Sequence, residues 1–145
     1  MEKEGRLPDA IAACIGGGSN LIGAVHEFLD NKEVELHGVE PEHSAALTNG
    51  TVGIMQGFKS FMLQSSSGDA TLFTKSLASG INFYSCGPEH AYLKSINRIK
   101  YSHVSDKEAF DAFQLICKTE GILIAFEPAF AAVSYTHLTL PTSLI

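Results

Sequence analysis

Ile15-Gly16-Gly17-Gly18-Ser19-Asn20 decides the fold of this chain, because it joins two segments of different periodicity. Ahead of it, Ala10 to Ile15 is a short apolar run that reads as a buried strand. Behind it, Ser19 to Leu29 places Leu21, Ile22, Val25, Phe28 and Leu29 on one helical face. Strand, glycine run, helix is a setting in which backbone N–H groups converge on an anion. Without a Cβ the chain can turn sharply and come close to a phosphate. The start of the helix adds unpaired N–H groups and the positive end of the helix dipole. Ser19 is placed to cap the helix or to give its hydroxyl to a phosphate oxygen, and Asn20 adds a backbone donor. A strand-to-helix turn that binds nothing has the same local spelling, so the setting matters more than the motif.

Outward from this stretch, Val34 to Glu40 alternates and reads as a second strand. Strand, helix and strand with short links imply a right-handed βαβ unit and a parallel sheet. The glycine run then lies at the carboxyl edge of the sheet, where ligands of open α/β sheets bind. Thr51 to Met55 and Phe58 to Leu63 read as a hairpin about Gln56-Gly57, and Ser65 to Asp69 as a surface loop. Ile81 to Cys86 is extended or irregular. Pro88 opens a helix through about Ile96, and Tyr101 to Val104 is a third parallel-type strand. Ser105 and Glu108 spell a capping box that opens a helix from Asp106 to Lys118. Its inner face is Ala109, Phe110, Phe113, Ile116 and Cys117, and Gly121 stops it. Glu127-Pro128 begins a last helix. The expected class is α/β, a parallel sheet flanked by helices.

A length of 145 residues bounds the chain to one ordinary domain. With 45% apolar and 18% charged residues it is globular, and a net charge of −6 argues against nucleic-acid binding. The notable basic cluster, Lys94, Arg98 and Lys100, is small. Cys14, Cys86 and Cys117 form no C-x-x-C pair and read as reduced, packed thiols of a cytoplasmic protein. The first residues are charged, with no leader-like segment after them, and no apolar run is long enough for a membrane.

Other chemistries fit poorly. The histidines (His26, His37, His43, His90, His103, His137) make no i,i+4 pair and have no cysteine at ligand spacing. His90, at a turn entering a helix, reads as a hydrogen-bonding residue. Ser19 lacks the second glycine of a nucleophile elbow. Gly16, Gly18 and Gly23 miss the dinucleotide spacing, although Glu40 stands about where the ribose-binding acid would be. What remains is a compact cup for one terminal phosphomonoester. Glu120, just past the expected helix end, is either a cleft residue or a solvated loop glutamate.

Several collinear motifs resemble the second half of the tryptophan synthase β-chain family. These are Glu4 to Ala10, Gly16 to Asn20, Gly38-Val39-Glu40, Gly87 to Leu93, Asp106 to Ala109, Phe113-Gln114-Leu115 and Thr119 to Ile122. The resemblance runs from about Glu2 to Ala132. It implies a fold-type II pyridoxal-phosphate enzyme, a lyase that joins L-serine and indole into L-tryptophan. Gly16, Gly17, Gly18, Ser19 and Asn20 would hold the cofactor phosphate. Gly80 would stand close to the cofactor and Glu120 beside its ring. The backbone carbonyls of Gly16, Phe83 and Ser85 match a monovalent-cation site. An α-chain partner and a second β chain are implied as well.

The departures are specific. Asn82 stands where the family has an aspartate that helps close the site over substrate. Phe83-Tyr84-Ser85-Cys86 replaces an aromatic-proline-glycine-valine run, and the loop between Glu40 and His43 is short. The family's cofactor-bearing lysine has no counterpart here. The expectation is therefore an incomplete domain over residues 1–132, inactive alone, with residues 133–145 a foreign tail. Related fold-type II enzymes, serine or threonine deaminases and cysteine synthases, would share the cup, and a non-catalytic phosphate-binding remnant is a further alternative.

Overall fold

A computed structural model describes residues 5–69 and 74–139, residues 137–139 by backbone alone. Along the chain run β1 (Ala10–Cys14), α1 (Ser19–Val25), β2 (Glu35–Pro41) and α2 (Ala46–Asn49). A hairpin of β3 (Thr51–Met55) and β4 (Phe58–Met62) follows, then α3 (Pro88–Ser95), β5 (Lys100–Val104), α4 (Asp106–Glu120) and α5 (Phe126–Thr139).

The βαβ expectation is met. β1, β2 and β5 form a parallel sheet in the order β1-β2-β5, with Cys14 opposite Val39 and Pro41 opposite Val104. β2 lies in the middle and is buried from Leu36 to Pro41, as a strand covered on both faces must be. Side chains alternate across a strand, so the sheet feeds two cores. Ala13 and Leu36 join Leu21, Val25 and Leu93 on the α1 and α3 side. Cys14 and Val39 join Ala109, Ala112, Ala129, Phe130 and Val133 on the α4 and α5 side. Phe130, fully buried there, contributes roughly 2–3 kcal/mol through burial.

The hairpin forms as read, with Gln56 and Gly57 both at positive φ in a two-residue turn. The capping box is present in full, with Ser105 Oγ accepting from the Glu108 N–H and Glu108 accepting from the Ser105 N–H. Two local readings change, and the last helix forms as read. The helix after the glycine run ends at Val25 and tightens into a 3₁₀ turn, His26–Phe28. On α4 the buried positions are Ala109 and Ala112, while Phe110 is 39% exposed and stacks on Phe113 and Phe126. α5 runs unbroken from Phe126 to Thr139 and buries Val133.

The basic cluster is structural. Lys94 donates to the Leu47 carbonyl and lies over the Phe61 ring, and Lys100 pairs with Glu35. Arg98 gives its guanidinium to four backbone carbonyls, those of Phe28 (2.7 Å), Leu29 (2.7 Å), Asn31 (2.9 Å) and Val34 (3.2 Å). These carbonyls line the turn where the first crossover leaves its helix, and those of Phe28 and Asn31 also accept from the Asn31 and Val34 N–H groups. Charged-donor hydrogen bonds are worth about 1.5–3 kcal/mol each when a partner is left unmade. Arg98→Ala is therefore expected to lower unfolding free energy by about 3 kcal/mol or more, and Arg98→Lys by less. Urea denaturation followed by circular dichroism measures both.

Candidate functional site

The glycine run turns the chain from β1 into α1 at the carboxyl edge of the sheet. Ile15 N–H still donates to the Val39 carbonyl at 2.9 Å, and the ladder ends there. Gly18, at φ 114°, is the N-cap of α1 and makes no side-chain cap, so Ser19 is the first helical residue and not the cap. The Ser19 hydroxyl makes no hydrogen bond to a described residue, which leaves the other role foreseen for it. The N–H groups of Gly17, Gly18, Ser19 and Asn20 likewise have no partner among the described residues. Asn20 keeps only its N–H for a ligand, because its side-chain amide turns back onto the Cys14 carbonyl (3.1 Å) and Sγ (3.3 Å).

Two segments far along the chain wall this cup. The backbone of Ile81 lies so close to Gly16 that a Cβ there would stand 2.7 Å from the Ile81 Cα. This contact brings in Gly80 and Asn82 on either side of Ile81, and Phe83 next. The Gly80 N–H donates to Glu127 Oε1 at 3.0 Å. Asn82 donates from its amide nitrogen to the Thr74 carbonyl at 3.1 Å, and its buried Oδ1 has no partner. The carbonyls of Gly16, Phe83 and Ser85 accept no hydrogen bond from the described residues.

The other wall is the start of α3. The Gly87 N–H donates to the Gly17 carbonyl at 2.9 Å, and His90 Nε2 lies 2.7 Å from the Gly18 carbonyl. A carbonyl only accepts, so Nε2 carries the proton and Nδ1 accepts from the Tyr101 hydroxyl at 3.0 Å. His90 is 2% exposed. Burial pushes its pKa down, with the Gly18 contact opposing, and burial pushes Tyr101 up. Burial also raises the thiols of Cys14 and Cys86, which keeps both protonated and unreactive.

The sequence-derived glycines, Ser19, Asn20, Gly80 and Asn82 are thus gathered about one cup. Glu120 is not. It is exposed at the end of α4 and lines a groove of about 730 Å³ against Ala132 and Tyr135 of α5, with no cup residue in that lining. The segment after it is exposed too, Leu123 at 83%. The carboxylate beside the cup is Glu127, which local pattern marked only as a helix opener. Glu40, placed by the dinucleotide test as a ribose acid, is instead buried at 1%. It accepts from the N–H groups of Leu47 (2.8 Å) and Thr48 (2.9 Å) and from the Thr48 hydroxyl (2.9 Å). Burial raises its pKa, while these donors and Lys94 lower it.

A row of unpaired N–H groups with a free hydroxyl, at the carboxyl edge of a parallel sheet, suits an acceptor-only phosphate. The fold that carries this donor set is α/β, a parallel sheet flanked by helices. The chain belongs to the family of pyridoxal-phosphate dependent enzymes, which matches residues 1–141. It is 47% identical over 140 residues to the tryptophan synthase beta chain of Dinoroseobacter shibae, covering 90% of this chain and 34% of that one. It therefore spans about a third of the length of that curated relative. Two solved structures share the fold: a threonine deaminase from T.th. (TM-score 0.66, 21% identity) and a fungal L-serine ammonia-lyase from Rhizomucor miehei (TM-score 0.64, 23% identity). Each match covers 97% of this chain and 43% of the other. The fold is that of the fold-type II pyridoxal-phosphate enzymes, as expected, and pyridoxal phosphate is the cofactor of the family.

The glycines of the cup are not equivalent. A Cβ on Gly18 would stand 2.3 Å from the His90 ring and sit at positive φ, whereas one on Gly17 meets only Phe83, at 4.0 Å. Gly18→Ala is expected to cost about 3 kcal/mol or more. Gly17→Ala should stay within about 1 kcal/mol of the parent. Thermal unfolding of the two variants checks the contrast.

Proposed function

We propose that this chain is the cofactor-phosphate part of a tryptophan synthase β-type enzyme, which condenses L-serine with indole to give L-tryptophan. The observation that carries the reading is the cup of unpaired N–H groups at Gly17 to Asn20, in a chain 47% identical to a tryptophan synthase beta chain. Successive N–H groups and the Ser19 hydroxyl bind the phosphate by charge-assisted hydrogen bonds. This fixes one end of the cofactor and orients its ring toward the remainder of the site. Bound pyridoxal phosphate supplies an electron sink for a carbanion at the α carbon of the amino acid.

The other residue roles follow the resemblance. Gly80, held by Glu127, lines the cofactor, and Asn82 occupies the position that closes over substrate. Glu120 is assigned to the ring side of the cofactor on its Thr119–Ile122 motif alone. The free carbonyls of Gly16, Phe83 and Ser85 support a monovalent-cation site. The lysine that attaches the cofactor belongs to the part of the relative that this chain does not match. Residues 1–132 make up the cofactor-phosphate portion, with a tryptophan synthase α chain and a second β chain as partners. Buried, protonated Cys14 and Cys86 suit a cytoplasmic setting.

A chimera tests this reading. Residues 5–132 replace the matching segment of the Dinoroseobacter β chain, and product is followed with L-serine plus indole and with L-threonine. Tryptophan is expected to exceed 2-oxo acid release, and Asn82→Asp should raise the tryptophan rate about tenfold by restoring a carboxylate for closure. A chimera that only deaminates its amino acids, with or without indole, overturns the assignment.

A further inference from the structure

We infer that His90 is a positioning residue for the phosphate cup, acting with the Gly87 N–H as a clip that orients two successive peptide planes of the glycine run. The inference rests on the reading of Gly17 to Asn20 as the phosphate site and says what holds those donors in place. Gly87 and His90 sit three residues apart at the start of α3, and they engage successive carbonyls. The Gly87 N–H donates to the Gly17 carbonyl at 2.9 Å, and His90 Nε2–H donates to the Gly18 carbonyl at 2.7 Å. The peptide bonds here are trans, so in each plane the N–H points opposite to the C=O. Pulling the carbonyls of Gly17 and Gly18 toward α3 therefore turns the N–H groups of Gly18 and Ser19 away from it. Those two N–H groups are among the unpaired donors of the cup.

The clip is specific to a histidine opposite a glycine. The imidazole fills the space that a Cβ on Gly18 would need, 2.3 Å from Cδ2 and 2.5 Å from Nε2. The Gly18 carbonyl also accepts from the Ile22 N–H at 3.0 Å, so His90 supplies its second hydrogen bond from outside the helix. Behind the ring, the Tyr101 hydroxyl donates to Nδ1 at 3.0 Å, which completes the tautomer that the Gly18 carbonyl fixes. The two rings meet edge to face at 87°. Glycine run, α3 and β5 are thereby linked through one imidazole.

The experiment compares pyridoxal 5′-phosphate with pyridoxal, which lacks the phosphate, by equilibrium binding to the full chain and to its variants. The unsubstituted chain should prefer the phosphorylated form. His90→Phe keeps an aromatic ring but cannot donate, and should reduce that preference about tenfold, the scale of one lost hydrogen bond. His90→Gln can still donate to the Gly18 carbonyl and should restore most of it. Tyr101→Phe leaves Nδ1 without its donor and should cost about threefold. Long-range ¹H–¹⁵N spectra of the imidazole should show the Nε2–H tautomer in the parent and in Tyr101→Phe alike, since the Gly18 carbonyl fixes it, a readout independent of whether His90→Phe folds. If the parent prefers the phosphorylated form and His90→Phe keeps that preference, this inference alone fails. An Nδ1–H tautomer in the parent also overturns it. If the parent shows no preference, the phosphate-cup reading fails with it.

Discussion

Between Ile15 and Leu21 the backbone has to leave a sheet ladder and enter a helix, and neither element uses the N–H groups of Gly17 to Asn20. A buried N–H without a partner costs about 1–3 kcal/mol, so a run of them is stable only where it faces an acceptor or solvent. The rest of the molecule is arranged around that requirement. β2 and β5 extend the sheet so that the run falls at its carboxyl edge. The Ser79–Ile81 turn closes against Gly16, and α3 takes the carbonyls of Gly17 and Gly18. The carbonyls of Gly17 and Gly18 are engaged from within the chain, while the N–H groups of Gly17 to Asn20 have no partner among the described residues. Such polarity suits an anion.

What local pattern revealed was whatever a short window contains. The apolar run of β1, the alternation of β2, the Gln56-Gly57 turn, the Ser105–Glu108 box and the Gly121 stop each rest on neighbours within a few residues. The glycine run was legible as a strand-to-helix turn for the same reason. Of the two roles open to Ser19, capping is excluded because the N-cap, with its positive φ, falls on Gly18, and serine and glycine both serve as N-caps. Phe110 was taken for core because it shares the helical stripe of Phe113. Yet the tight approach of α5 admits only Ala109 and Ala112 at the closest positions.

The groups that shape the site were harder to see because their partners are distant in sequence. His90 meets Gly18 across 72 residues, Glu127 meets Gly80 across 47, and Arg98 reaches Phe28 across 70. No periodicity encodes such pairs; each needs the sheet to exist first. Arg98 shows the order of events. Its four carbonyl acceptors come together only when the first crossover has turned back toward β2. A charged side chain at that point then favours the one arrangement in which all four are satisfied.

Asn82 shows how one side-chain amide ties a loop to itself. An aspartate at this position could not donate, and its carboxylate would face the carbonyl of Thr74. The asparagine amide instead donates to that carbonyl at 3.1 Å, while Thr74 Oγ1 donates to the Asn82 carbonyl at 3.5 Å. The residues from Thr74 to Asn82 are thereby tied end to end, and Asp106 holds their middle by accepting from Ser76 Oγ (2.7 Å) and the Leu77 N–H (3.1 Å). The same geometry leaves Asn82 Oδ1 buried with no partner among the described residues. Tying this loop through an amide therefore costs one unsatisfied neutral acceptor, which the hydrogen bonds at both of its ends offset.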